Sequence, residues 1–140
     1  MTVPPDRELA DRLAGYDSLL EVGVGRRPGV AAALADAGCR VVAVDVDPEV
    51  VAETRAETPT GVTVVHADVV SLADRRQLPP EYDVDAVYAR NLPAELQRPS
   101  RQLARRVGAD LSFTTLGFEA PVIPVDRDHL EGGVVYVVRQ

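Results

Sequence analysis

Lysine and tryptophan are absent from this 140-residue sequence, and cysteine occurs once. Cys39 alone cannot form an internal disulfide or a multi-thiolate metal site, and two isolated histidines, His66 and His129, do not complete one. Thiol and metal chemistry are therefore not expected. No apolar run approaches the roughly 18 residues of a membrane helix, and the first twelve residues are too polar for the apolar part of a signal peptide. We expect a cytoplasmic protein that does not bind membranes.

Positive charge is also scarce. The formal net charge is −7, from 22 acidic and 15 basic residues, and every basic residue is an arginine. An acidic surface repels phosphate groups, so nonspecific binding to nucleic acid is not expected. The length suits one compact domain covering residues 1–140, which would bury roughly two-thirds of the surface of the unfolded chain.

Apolar runs alternate with helical patterns along the chain. The strand-like runs are SLLEVGVG, RVVAVDVDP, GVTVVHADV, VDAVYARN, ADLSFTTLG and VVYVVRQ. The helical patterns are PPDRELADRLAG, PGVAAALADAG, DPEVVAETRAET and PAELQRPSRQLARRVG. This alternation indicates repeated βαβ units with right-handed crossovers. It predicts an α/β fold: a single Rossmann-like domain with a mostly parallel, doubly wound sheet of about six strands and helices on both faces.

Local signals mark the ends of several elements. Gly38 is expected to end one helix in a left-handed conformation, and Asp47 to cap the next, with proline at its first position. Pro99 is expected to interrupt or restart the fourth helical pattern, because proline cannot supply the interior amide hydrogen bond. Residues 69–82 show no clear pattern, and residues 118–133 are predicted to form a loop rich in breakers.

The stretch LLEVGVGRRPGV is typical of a nucleotide-binding turn between a strand and a helix. Such a turn leaves backbone N–H groups and the positive end of a helix dipole directed at one spot, which predicts a place for an anionic group. Gly23 and Gly25 fit a GxGxxG dinucleotide fingerprint, but Pro28 stands where its third glycine would be. A classical NAD site is therefore less favoured.

Three acids follow successive strands, and open α/β sheets bind ligands at that edge. Glu21 with Gly23 and Gly25 resembles motif I of class I S-adenosylmethionine-dependent methyltransferases, whose turn holds the methionine end of the cofactor. Asp45 suits the two ribose hydroxyls of either S-adenosylmethionine or NAD. The same resemblance implies that Asp68 lies near the adenine amino group, with the backbone of Val69 beside the ring.

Structural alternatives exist for each of these features. A GxG turn after a strand also occurs in α/β proteins that bind nothing there. Asp47 suits a helix cap better than a ligand contact. Asp68 could equally be a turn former that accepts a local backbone hydrogen bond.

The end of the fourth strand lies at the same edge of the sheet. Arg90 and Asn91 end a buried strand, so their polar groups need partners or a ligand. The segment Arg98–Arg106 is strongly basic, which suggests an anionic ligand or a protein partner, although a solvated helix face explains most of its arginines equally well. The NLP sequence after Arg90 has some likeness to the Asn-Pro-Pro-aromatic motif of amino methyltransferases, but Leu92 and Ala94 replace a proline and the aromatic ring, which argues against methylation of a base or amide by that arrangement.

The block from Arg90 to Gln97, with TTLGFEAP and VVYVV after it, resembles the small archaeal proteins of uncharacterised protein family 0146. The likeness runs from the EVGVG turn to the C-terminus. It implies a Rossmann-like, methyltransferase-like fold without an established activity. Glu119 matches an acid of that family, and with Glu95 it is a candidate carboxylate pair near Arg90, for acid/base work or for neutralising arginines.

Three functions agree with these observations. The first is an S-adenosylmethionine-dependent methyltransferase of unknown acceptor, with Arg90, Asn91, Glu95 and Glu119 as candidate catalytic residues. Methyl transfer mainly requires that donor and nucleophile are held in contact. The second is a regulatory module that binds NAD or another adenine nucleotide without chemistry. The third is an interaction subunit whose pocket is vestigial.

Overall fold

The computed structural model describes residues 3–140. Its helices are α1 (Asp6–Leu13), α2 (Gly29–Asp36), α3 (Pro48–Glu57), α4 (Val69–Asp74) and α5 (Ala94–Val107), with a 3₁₀ helix at Pro80–Tyr82. Its strands are β1 (Ser18–Val22), β2 (Arg40–Asp45), β3 (Val62–His66), β4 (Ala86–Ala89), β5 (Asp110–Phe113), β6 (Asp126–Leu130) and β7 (Gly133–Val138).

The strands form one sheet in the order β3-β2-β1-β4-β5-β7-β6. Strands β1 to β5 pair in parallel, and β7 and β6 add an antiparallel edge. The strand order reverses between β1 and β4, and parallel sheets of this type bind ligands in the crevice outside the carboxyl ends of the strands at such a point. The predicted Rossmann-like fold is confirmed, with seven strands among the described residues in place of about six.

Buried side chains form one hydrophobic cluster on each face of the sheet. Helices α1, α2 and α3 contribute residues such as Leu9, Leu34 and Val51 to one cluster. Helices α4 and α5 contribute residues such as Leu72 and Leu103 to the other. The sheet is therefore covered on both faces, as a parallel sheet requires. Within residues 3–140, no helix is long and apolar enough to cross a membrane.

The additional strand is β6, which lies within the predicted loop at residues 118–133. Its sequence, DRDHL, is polar, so an apolar pattern cannot reveal it. It pairs antiparallel with the buried strand β7, and it is held by ion pairs from Arg12 and Arg139 to Asp128. Charged residues on an edge strand also discourage pairing with other chains.

Residues 69–82 are more regular than their sequence pattern predicted. Helix α4 begins directly after Asp68, whose carboxylate accepts a hydrogen bond from the backbone N–H of Val70. The carbonyl groups at the other end of α4 accept hydrogen bonds from the guanidinium of Arg106. A helix of six residues is too short to show a clear apolar period, so tertiary contacts such as these define it.

The predicted ends of α2 and α3 are confirmed. Gly38, two residues after the last residue of α2, adopts a φ of +96°. At the start of α3, Oδ1 of Asp47 accepts hydrogen bonds from the N–H groups of Glu49, at 2.9 Å, and Val50, at 3.4 Å. Pro48 is the first residue of that helix. These signals are local, so the sequence alone determines them.

The predicted interruption at Pro99 is wrong, because α5 continues through this residue to Val107. Pro99 lacks the N–H that would bond to the carbonyl of Glu95, four residues earlier. The helix tolerates this loss because its inner face is fully packed: Ser100, Leu103 and Ala104 are each 0% exposed. Packing of an amphipathic helix outweighs a local helix breaker here.

Replacing Pro99 with alanine should therefore stabilise the protein. The substitution restores a hydrogen bond inside α5 and removes the steric conflict of the ring, so the free energy of unfolding should rise by about 1–3 kcal/mol. Urea denaturation measures the change. Arg105→Ala, on the exposed face of the same helix, is the control and should change the stability by less than about 0.5 kcal/mol. An unchanged or lower stability of Pro99→Ala would mean that the helix is not strained at this point.

Candidate functional site

A shallow cleft of about 90 Å³ lies at the carboxyl edge of β1, β2 and β3. It is lined by Val22, Gly23, Val44, Asp45, Val46, Ala67, Asp68, Val69 and Leu96. Apolar side chains make up most of this lining, and two carboxylates are the charged groups among the described lining residues. Of the residues predicted to bind a cofactor, Gly23, Asp45, Asp68 and Val69 lie in this cleft.

Three amide groups of the glycine turn are paired within the protein. The N–H groups of Gly23 and Val24 both donate to the carbonyl of Val44, at 2.9 Å and 3.1 Å, and the N–H of Gly25 donates to Oδ2 of Asp45 at 2.8 Å. Pro28, directly before α2, has no N–H. The N–H groups of Gly23, Val24 and Gly25 are therefore not free to bind an anionic group, and the predicted anion site at this turn stays a prediction.

Both glycines of the turn adopt left-handed conformations. Gly23 has a φ of +71° and Gly25 a φ of +59°, and a side chain would be strained in either position. The hydroxyl of Thr54 in α3 donates to the carbonyl of Gly25 at 2.6 Å. The turn is thus fixed in shape by β2 on one side and by α3 on the other.

Asp45 connects the turn with the cleft. Its Oδ2 accepts from Gly25, and its Oδ1 accepts from the N–H of Asp47 at 3.1 Å. A carboxylate has about four lone-pair sites, so each oxygen can accept one further hydrogen bond. The side chain can therefore accept from two hydroxyl groups while it holds the turn in place.

Asp68 lies at the opposite rim of the cleft. Its Oδ1 accepts from the N–H of Val70 at 2.9 Å, so the expected local hydrogen bond of a turn former is present. The side chain is exposed, whereas the neighbouring Val69 is only 3% exposed. A contact between Asp68 and an adenine amino group stays a prediction.

Glu21 lies on the other side of β1 from this cleft. Successive residues of a strand face opposite sides of the sheet, so Val22 lines the cleft and Glu21 does not. Glu21 is 0% exposed, and the hydroxyl of Tyr88 donates to its Oε1 at 2.6 Å. Its Oε2 is 3.6 Å from Nη2 of Arg90.

Burial controls the protonation of this buried cluster, formed by Glu21, Tyr88 and Arg90. Desolvation raises the pKa of Glu21 from 4.5 to about 7, although the hydrogen bond from Tyr88 and the charge of Arg90 oppose this rise. Desolvation and the neighbouring glutamate raise the pKa of Tyr88 well above 10. Tyr88 was not among the predicted site residues. Strand alternation was the available signal, because it places the side chains of Tyr88 and Ala89 on opposite faces of the sheet.

Arg90 and Asn91 line a second and larger cavity, of about 480 Å³. Nη2 of Arg90 donates to the carbonyl groups of Arg27, at 2.7 Å, and Val24, at 3.3 Å. Asn91 has a φ of +55°, and its N–H donates to Oγ1 of Thr114 at 2.9 Å. Arg90 therefore spans from the end of β4 to the glycine turn.

The predicted carboxylates are not gathered around Arg90. Glu95 is exposed in the first turn of α5, and Glu119 is exposed in the segment after β5. Within residues 3–140, the hydrogen bonds and the ion pair of Arg90 go to Glu21, Val24 and Arg27. Among the described residues, neither Glu95 nor Glu119 forms an ion pair with Arg90, whose acidic neighbour is Glu21 of β1.

The basic segment of α5 divides into structural and free arginines. Arg98 donates to the carbonyl of Val122, and Arg106 donates to carbonyl groups at the end of α4 and to that of Arg76. The side chains of Arg101 and Arg105 make no hydrogen bond or ion pair to other residues in the described part of the chain. The structural role of Arg106 was not predicted, because the carbonyl groups of Leu72 and Arg76 that accept its hydrogen bonds lie 34 and 30 positions away in the sequence.

The strand order and the helices on both faces define a Rossmann-like α/β protein with a cleft beside the glycine turn. The sequence profile of an uncharacterised protein family (UPF0146) matches residues 7–140, and the chain belongs to this family. A UPF0146 protein from Halobacterium salinarum is 41% identical over 140 residues, which cover 99% of this chain and 98% of the relative.

Solved structures share the fold. An RNA methyltransferase from Salinibacter ruber in complex with S-adenosyl-L-homocysteine superposes with a TM-score of 0.64 at 22% identity, over 96% of this chain and 92% of that chain. A mutant of MtNAS in complex with S-adenosylmethionine gives a TM-score of 0.68 at 20% identity, over 96% of this chain. This chain spans 61% of the MtNAS chain, so it matches only part of that protein.

Proposed function

We propose that this protein binds S-adenosylmethionine in the cleft beside Asp45 and is methyltransferase-like, with an unknown methyl acceptor. The observation that carries the proposal is the internal pairing of the glycine-turn amides with Val44 and Asp45. NAD presents a diphosphate, which such a turn normally binds through free amides. S-adenosylmethionine has no phosphate, so it does not need those donors.

The groups that remain available suit an adenosyl group. Asp45 can accept hydrogen bonds from two ribose hydroxyls, and Asp68 can accept one from an adenine amino group. Val22, Val44 and Val69 supply apolar contacts for the flat faces of the base. The negative charges of the two aspartates favour a cationic cofactor over one with a diphosphate.

Bound S-adenosylmethionine would supply a methyl group on a sulfonium, which is transferred by in-line displacement. The contribution of the protein is to hold the nucleoside and to fix the turn beside it. Solved structures of the same fold with bound S-adenosyl-L-homocysteine and S-adenosylmethionine support this assignment by analogy of fold.

The small size of the cleft favours a second candidate function. Its volume of about 90 Å³ is below the roughly 300–1,000 Å³ of most ligand pockets. A non-catalytic module, either a sensor of NAD or another adenine nucleotide or an interaction subunit with a vestigial pocket, also agrees with such a cleft.

Calorimetric titration separates these functions. The purified protein, in high salt to screen its negative charge, is titrated with S-adenosylhomocysteine and separately with NAD. We expect micromolar binding of S-adenosylhomocysteine and none of NAD. Binding of NAD alone would favour the sensor, and the absence of binding by either compound would favour the interaction subunit.

A further inference from the structure

The larger cavity lies at the carboxyl ends of β4 and β5, against the segment that leads into α1. It is lined by Val3, Pro4, Pro5, Asp6, Leu9, Arg27, Arg90, Asn91, Thr114 and Leu116. None of these residues lines the cleft beside Asp45. Its volume of about 480 Å³ is within the range of small-molecule sites. The cavity is therefore large enough to bind a ligand of its own.

Two neighbouring residues of this cavity have polar atoms without partners. Nε of Arg90 and Oδ1 of Asn91 are buried, and neither makes a hydrogen bond. The side chain of Arg90 is only 9% exposed. An unpaired buried polar group destabilises a protein by about 1–3 kcal/mol, so two such groups side by side call for an explanation. A ligand that pairs with both groups would offset this cost.

The backbone of Asn91 is held in an uncommon conformation. A φ of +55° is uncommon outside glycine, although asparagine adopts it more readily than most residues. Two hydrogen bonds fix it: the N–H of Asn91 donates to Oγ1 of Thr114, and the N–H of Leu92 donates to the carbonyl of Thr114 at 2.8 Å. Strained residues that the surrounding structure holds in place are concentrated at binding sites.

The charges of the cavity favour an anion. Arg27 and Arg90 carry positive charges, whereas Asp6 is the one acid among the described lining residues. Arg27 and Asp6 face each other at 3.7 Å in an exposed ion pair. Arg90 lies 3.6 Å from Oε2 of Glu21, a contact too long for a hydrogen bond, and Nε of its guanidinium has no hydrogen-bond partner. A carboxylate can accept from Nε of an arginine.

The acceptor atom and the apolar wall define the remainder of the ligand. Oδ1 of Asn91 requires a donor, and a neutral hydroxyl suits it better than an ammonium, because the guanidinium of Arg90 would repel a second cation. Pro4, Pro5, Leu9 and Leu116 provide apolar surface.

We propose that this cavity binds an α-hydroxy carboxylate with an apolar side chain, with Arg90 holding the carboxylate and Asn91 the hydroxyl. The site is separate from the cleft beside Asp45, and the proposal does not rest on the proposed function.

Three related probes test the proposal by calorimetry. Mandelate has the carboxylate, the hydroxyl and an apolar ring, phenylacetate lacks the hydroxyl, and mandelamide lacks the charge. We expect mandelate to bind and each of the other two to bind at least about tenfold more weakly. No binding of mandelate at millimolar concentration, or equal binding of all three probes, would overturn the proposal.

The variant Asn91→Gly assigns the hydroxyl contact. Glycine adopts a positive φ without strain, so the variant keeps the backbone while it removes Oδ1. The difference in affinity between mandelate and phenylacetate should disappear. Persistence of the full difference in a folded variant would show that Asn91 does not recognise the hydroxyl.

A titration with mandelate in the presence of saturating S-adenosylhomocysteine tests whether the two sites are separate. The mandelate affinity should stay the same within about threefold. Competition would show that the cavity belongs to the cofactor site and would overturn the assignment of a separate ligand. If S-adenosylhomocysteine itself does not bind, the proposed function fails while the mandelate measurements still decide this inference.

Discussion

Between about pH 5 and pH 8, Glu21 should lower the free energy of unfolding of the wild type by about 2–3 kcal/mol, and the variant Glu21→Gln should lack this fall. In the folded protein the pKa of Glu21 is about 7, against 4.5 as the ordinary value. The native state therefore binds more protons than the unfolded state between these two values, and stability falls as the pH rises from 4.5 to 7. Glutamine keeps the shape and does not titrate. Urea denaturation at about pH 5 and at about pH 8 measures the effect.

The comparison needs a control because other acidic residues also titrate in this range. Glu57→Gln removes an exposed glutamate at the end of α3 and should follow the wild-type pH dependence. At about pH 8, Glu21→Gln should gain stability relative to the wild type by more than it does at about pH 5. If the difference in stability between Glu21→Gln and the wild type is the same at both pH values, burial does not raise the pKa of Glu21.

The variant Asp45→Ala should weaken binding of S-adenosylhomocysteine about 100-fold or more. It removes an acceptor for two ribose hydroxyls, and each hydrogen bond to a charged group contributes about 1.5–3 kcal/mol. It also frees the N–H of Gly25, which now donates to this carboxylate. Calorimetric titration of the variant against the wild type measures the loss.

Asp47→Ala is a matched control for this experiment. Asp47 is two positions away and caps α3, so its loss should lower the stability by about 1 kcal/mol and leave the affinity within about threefold. Asp45→Asn is a milder variant, because an amide oxygen can still accept from Gly25. Equal losses of affinity for Asp45→Ala and Asp47→Ala would mean that a general loosening of the turn, and not the ribose contact, explains the result.

The sequence was sufficient to predict the architecture where the signals are local. The alternation of strands and helices gave the doubly wound sheet, and Gly38 and Asp47 end and begin helices as expected. The prediction was wrong where tertiary contacts outweigh local preference. Pro99 lies inside α5, and the polar strand β6 forms because β7 provides a partner and Arg12 an ion pair.

The candidate site was predicted only in part for the same reason. Asp45 and Asp68 could be predicted as site residues because they lie at the carboxyl ends of parallel strands, where such sheets bind ligands. Strand alternation predicts that Glu21 lies on the opposite face of the sheet from Val22. The resemblance to motif I nevertheless grouped Glu21 with the cofactor-binding residues. The pairing of the Gly23 and Val24 amides with Val44 depends on the register of β1 against β2, which no single segment of the sequence contains.

A crystal structure of the protein grown with S-adenosylhomocysteine would show whether the cleft beside Asp45 is the cofactor site. We expect the two ribose hydroxyls within hydrogen-bond distance of the Asp45 carboxylate, the adenine ring against Val44 and Val69, and the amides of Gly23 and Val24 still bonded to Val44. A compound bound elsewhere, or a turn that reopens to present its amides to the ligand, would contradict this expectation.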